Sequence, residues 1–94
     1  MKKNIVKFMI EQDYVQKNSV IKATIKSYGL GGMPVELDKD LLFEDHAQSP
    51  KGGLYIKGCD PENLREYVVG ASNIHQINGM DQKTIERLFP EIAG

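Results

Sequence analysis

SVIKATIKSY, residues 19–28, sets Ile21, Ala23 and Ile25 on one parity and Val20, Lys22, Thr24, Lys26 and Tyr28 on the other. That period of two is the signature of a strand with one face turned to a core. Its β-branched residues fit a pleated strand better than a helix. Upstream, NIVKFMI at residues 4–10 puts Val6, Phe8 and Ile10 on one parity and Ile5, Lys7 and Met9 on the other. The same logic predicts a strand there, with one strongly apolar face. The polar connection EQDYVQKN is of ordinary loop length. The two strands are therefore expected to pair as an antiparallel hairpin, with Phe8 opposite Ile21.

Downstream, GLGGMP at residues 29–34 reads as a turn in which the backbone needs a positive φ. A phosphate loop would lead from a strand into a helix and carry Gly-Lys-Ser/Thr. Here Pro34 and a strand follow instead. Val35 and Leu37 offer one short strand, and Leu41, Leu42 and Phe43 a further apolar anchor. EDHAQSPKGG, residues 44–53, is polar with Pro50 and paired glycines, the composition of an exposed, mobile loop. Leu54–Lys57 reads as a short strand. Asp60-Pro61-Glu62 can open a helical turn, and residues 61–69 allow two readings: one turn leading into a strand at 66–70, or a helix throughout. At the end, Asp81 can cap a helix over about 82–89, with Ile85, Leu88, Phe89 and Ile92 at helical spacing.

These elements predict a mainly β or α+β chain. The expected form is a small antiparallel β-barrel or bent sheet of about five strands, with a short C-terminal helix, in a single domain over residues 1–94. The competing form is an α+β sheet with helices at 61–69 and 82–89. EYVVGASNIHQI, residues 66–77, resembles the closing segment of a Src-homology-type small barrel: strand, small-residue turn, strand. The resemblance covers about twelve residues and implies a fold only, because the aromatics of that family's peptide groove have no counterparts in this chain.

Composition narrows the function classes. The chain has 94 residues, 40% of them apolar, and a net charge of -1, which disfavours bulk attraction to nucleic acid. The charge is unevenly spread. Residues 1–28 hold Lys2, Lys3, Lys7, Lys17, Lys22 and Lys26 against Glu11 and Asp13, and the remainder is acidic. No apolar run reaches the roughly 18–20 residues that cross a bilayer, and the opening MKKNIVKFMIEQD lacks a secretory core and cleavage site. With Cys59 as the one cysteine, a cytoplasmic setting without disulfides is expected.

Site chemistry is sparse. Asp38, Asp40, Glu44, Asp45 and His46 lack the spacing of a calcium loop, and Cys59, His46 and His75 are too few for an obvious zinc site. Cys59 with either histidine is the one conceivable nucleophile and base, its thiol aided by a helix start at Asp60, but nothing orients a base toward it. No enzyme activity, metal or cofactor is expected. The informative feature is the second face of the predicted hairpin: Lys3, Ile5, Lys7, Met9, Val20, Lys22, Lys26 and Tyr28. The predicted register sets Lys7 opposite Lys22 and Lys3 opposite Lys26, a juxtaposition that costs stability and suits an anionic partner. Lysines on a solvated face also simply cover surface. The apolar members point to a lysine-rimmed protein interface, unless the C-terminal helix covers them. The expectation is a regulatory protein of inhibitor or adaptor type that binds another protein or itself. The alternative is an RNA- or DNA-binding module in which Tyr28 stacks on a base.

Overall fold

The alternation in residues 19–28 is realised as β1, Val20–Tyr28, but its neighbour is not the N-terminal segment. The structure is a computed structural model and describes residues 5–93. It begins with a helix, α1, Ile5–Glu11, where alternation predicts a strand. The reason is in the polar positions. Lys7 and Glu11 are exposed and four apart, one stripe of a helix. Ile5, Val6, Phe8 and Met9 are all buried. A strand would have turned Ile5 and Met9 outward beside Lys7, so burial of the apolar set overrides local strand preference. The helix closes on Asp13, at φ 59°. The Asp13 N–H donates to the Ile10 carbonyl at 3.1 Å, and the Tyr14 N–H to the Met9 carbonyl at 2.8 Å. This is a Schellman closure.

The strand partner of β1 is β2, Pro34–Gln48, in unbroken register from Val20 opposite Leu42 to Tyr28 opposite Pro34. β3 (Leu54–Cys59), β4 (Glu66–Gly70), β5 (Ile74–Ile77) and β6 (Met80–Asp81) complete the set. All pairs are antiparallel, in the linear order β4-β3-β2-β1-β5-β6. The protein is thus mainly β: six strands in one bent, open sheet, with short helices.

In the middle of the chain one reading is corrected and one open choice is decided. The separate anchors at 35–37 and 41–43, with half of the expected loop at 44–53, form one strand. Gln48 pairs with Leu54, and the reversal is a tight turn closed by the Ser49 N–H on the Gly53 carbonyl at 2.8 Å. Residues 61–63 form a turn and not a helix. The Glu62 N–H donates to Asp60 Oδ1 at 2.9 Å, and Leu64 adopts φ 61°, which a helix does not allow. β4 follows. A 3-10 turn, Ala71–Asn73, then leads into β5, the local order that the Src-homology-type resemblance implies.

Ile21, Ala23, Leu41, Phe43, Ile56, Val69, Ile74 and Ile77 form the inner face of the sheet. α1, Val15 and Ile85 of α2 (Gln82–Leu88) pack on it. Asp81 caps α2 by accepting the Thr84 N–H at 2.8 Å. A short helix α3, Pro90–Ala93, is the last element described. Phe89, between the two helices, lies 5.9 Å from the Phe8 ring and 4.7 Å from Tyr14. α1, α2 and Phe89 therefore close over the inner face, and the outer parity of β1 stays uncovered by α2.

Candidate functional site

The residues singled out from sequence do not share one face. Lys3 lies outside the described residues. Ile5 and Met9 are buried in α1, Met9 at 1% exposure, and Lys7 is on the helix's polar stripe. Val20, Lys22, Lys26 and Tyr28 do share the outer face of β1. No lysine stands opposite another there. Lys22 faces Asp40, Thr24 faces Asp38, and Lys26 faces Glu36. Lys22 Nζ is 3.7 Å from Asp40 Oδ1, and the Thr24 hydroxyl donates to Asp38 at 2.9 Å. That hydrogen bond, followed by His75 Nε2 at 3.3 Å, holds the Asp38 carboxyl below the usual carboxylate range. The lysine strip and the acidic cluster, far apart in sequence, form one ladder of opposite charges.

The remaining chemistry is structural. Burial, followed by the charges of Glu44, Glu66 and Asp60, pushes the Cys59 thiol up, the opposite of activation. His46 stacks along Phe43 at 6.3 Å and His75 is engaged with Asp38, so each imidazole has a recorded partner other than Cys59. Among the described residues no group of His, Cys, Asp and Glu could hold a metal ion. A depression of about 330 Å³ is lined by Lys22, Asp38, Lys39, Asp40 and Asp60, with Pro61 and Glu62. Both of its lysines already face acids, Lys22 beside Asp40 and Lys39 on Asp60. Lys39 Nζ donates to the buried Asp60 at 2.9 Å and sits over the Tyr67 ring at 5.7 Å. Asp60 is held low by Lys39 and by the Glu62 N–H. This pair ties the 60–65 turn to β2.

A different feature stands out. β3 reaches β2 only from Leu42 onward, and β5 reaches β1 only at residues 21–23. Residues 24–28 and 34–38 therefore pair with each other alone and project as a two-stranded ribbon, in a molecule 45 Å long and 27 by 25 Å across. The tip folds through Gly31 and Gly32 at φ 83° and 76°, a left-handed turn that side chains disfavour. The inner parity of the ribbon, Ile25, Ser27, Val35 and Leu37, continues the core face beyond the helices. Val35 and Leu37 remain 40% and 44% exposed, Tyr28 and Met33 77% and 71%, and Leu30 is fully exposed. Residues 27–35 carry no charged side chain. A free two-stranded ribbon is marginal in water, and grouped exposed apolar side chains mark contact surfaces.

Sequence reading assigned Leu30 and Met33 to a turn and missed this surface. The available signal is parity: Val35 and Leu37 continue the inward register of Leu41 along β2. Among the described residues no helix is long and apolar enough to cross a membrane. Comparison of the chain with protein-family models, curated proteins and solved structures finds no match.

Proposed function

We propose that this is a small non-catalytic binding protein, of inhibitor or adaptor type, whose β1–β2 ribbon docks on another protein in the cytoplasm. The observation that carries the reading is the uncharged ribbon end: Tyr28, Leu30 and Met33 at the tip, backed by Val35 and Leu37. Tyrosine is enriched among the residues that dominate binding energy, and methionine adapts to irregular apolar pockets. Lys26 and Glu36 stand behind them as a polar rim. The raised thiol of Cys59 and the engaged histidines support a role without catalysis. The opposed acids beside Lys22 and Lys26 favour a protein over a nucleic acid, since they offset the charge that phosphates would seek.

A photo-crosslinking residue placed at Leu30 tests this in extract of the source cell. The expected result is one discrete protein adduct, competed by excess unlabelled chain but not by a Val35→Ser/Leu37→Ser variant with an unchanged melting temperature. Adducts only to nucleic acid, or a variant that competes as well as the native chain, would refute the reading.

A further inference from the structure

The sheet has edges besides the ribbon, and one of them lacks the usual protection. Natural proteins blunt an edge strand with lysine, proline, a bulge or extreme shortness. β6, at one end of the sheet, is two residues long and runs straight into α2. β4, at the other end, is a five-residue strand with no proline and no lysine, paired to β3 in even register without a bulge. Among the described residues nothing pairs with its outer edge. Its central outward residue, Val68, is 70% exposed. Its one charge, Glu66, is already bound by Lys57 at 2.8 Å, which holds the Glu66 carboxyl low.

Each free edge can be asked what it would meet in a second copy of itself. A two-fold axis pairs residues whose numbers sum to a constant, and both must share a face. On the free stretch of β1, residues 24–28, the register that pairs every residue sets Lys26 against Lys26. On the free stretch of β2, registers about Leu37 or Asp38 set Glu36 against Asp38 or Asp40, acid against acid. Like charges directly opposed are destabilising. On β4 the register about Val68 pairs all five residues: Val68 with Val68, Tyr67 with Val69, and Glu66 with Gly70. No like charges meet. Tyr67 and Val69 lie on the inner face and Val68 on the outer, where Tyr55 of β3 stands 43% exposed nearby. The joint would therefore extend apolar contact on both faces.

We propose that β4 is a self-association edge: two copies join by antiparallel β4–β4 pairing about Val68 into one continuous sheet. A strand joint of this length buries less than the roughly 1,000 Å² of stable interfaces, so the association is transient and concentration-dependent. It leaves both ribbons free, and a bivalent assembly holds a multivalent partner more tightly than either copy alone. The inference is independent of the ribbon reading, because the two surfaces are on different strands.

The test uses the full chain with Cys59→Ser and one new cysteine, in a glutathione disulfide buffer at high micromolar concentration. Residues directly opposed in an antiparallel pair have Cα atoms about 4.5–5.5 Å apart, within disulfide reach. Val68→Cys is expected to cross-link to dimer at least tenfold faster than Glu66→Cys, which the register sets opposite Gly70. Sedimentation equilibrium of the native chain is expected to show reversible dimer, and Val68→Lys to abolish it with an unchanged melting temperature. Leu30→Ser/Met33→Ser should lose the ribbon partner and keep the dimer. A monomer at all concentrations up to millimolar, or equal cross-linking at both positions, would overturn the proposal.

Discussion

Replacing Met9 by alanine is the sharpest test of how the N-terminal segment folds, and the composition of the lysine-bearing face expected from sequence depends on it. Met9 is 1% exposed within the cluster formed by Ile5, Val6 and Phe8. Truncation removes Cγ, Sδ and Cε. At about 0.8 kcal/mol per buried methylene-sized group, the transfer loss is about 2.4 kcal/mol. Incomplete collapse of the cavity raises the total toward about 3 kcal/mol, inside the roughly 2–5 kcal/mol seen for such changes. That is a large share of the roughly 5–15 kcal/mol that holds a domain of ordinary stability. Were residues 4–10 a strand with Met9 beside Lys7 on the solvent side, the change would stay within about 0.5 kcal/mol. Ile10 gives the opposite ordering: half-buried in the helix, it would face the core in the strand. Urea titration followed by circular dichroism reads both variants, with the slope m held constant as the check on two-state behaviour. A loss for Ile10→Ala that exceeds a negligible loss for Met9→Ala would refute the helix, and would return Ile5 and Met9 to an exposed face with Lys7.

Two further changes probe the frame that carries the ribbon. An added Cβ at Gly58 would lie 2.9 Å from Leu41 Cβ and 3.3 Å from the Leu42 carbonyl oxygen. Gly58→Ala is therefore expected to lower stability by about 1–3 kcal/mol through overpacking, read as a lower urea midpoint, and a neutral result would mean that β2 and β3 separate easily. The second change concerns pH. Lys39 holds the Asp60 carboxyl low, so its contribution is complete above the unfolded pKa of about 3.9 and is lost as pH falls through the lower folded value. Lys39, raised by the same pair, contributes fully below its unfolded pKa of about 10.4 and loses that contribution as pH rises through the folded value. Asp60→Asn should flatten the acid limb of a stability–pH profile, and an unchanged limb would remove the pair from the account.

What could be read from the sequence follows the range of the interactions involved. The alternation of β1, the cap at Asp81 and the strands at 54–57 and 66–70 are local, and each is present. NIVKFMI is ambiguous for a physical reason: so short a segment, with apolar residues on both parities, satisfies a strand and a helix alike. Only the four-residue spacing of Lys7 and Glu11 distinguishes them. β2 escaped in two places: Lys39 takes the inward position between Leu37 and Leu41 and interrupts the apolar pattern, and a bulge between Phe43 and Asp45 resets the parity beyond it. Asn78-Gly79, at φ 53° and 79°, is a strong hairpin signal between Ile77 and Met80. The charge ladder could not be read in advance, because which acid faces which lysine is a matter of long-range register.

That register links the two faces of the ribbon. Side chains alternate along each strand, so a one-residue slip would turn Ile25, Val35 and Leu37 outward and Lys26 and Glu36 inward. In most sheets a packed core forbids the slip. Here the helices stop short, and beyond Ile25, which still packs against the core, Ser27, Val35 and Leu37 are exposed and leave little burial to fix it. The outer face supplies what is missing: Lys22 against Asp40, Thr24 bonded to Asp38, and Lys26 against Glu36 all specify the observed register. Exposed pairs contribute little stability singly, but a slip would break all of them together. The opposed charges on one side thus keep an apolar strip presented on the other. On this argument the acids and lysines of the ribbon are positioning residues for Val35 and Leu37 rather than a binding face themselves.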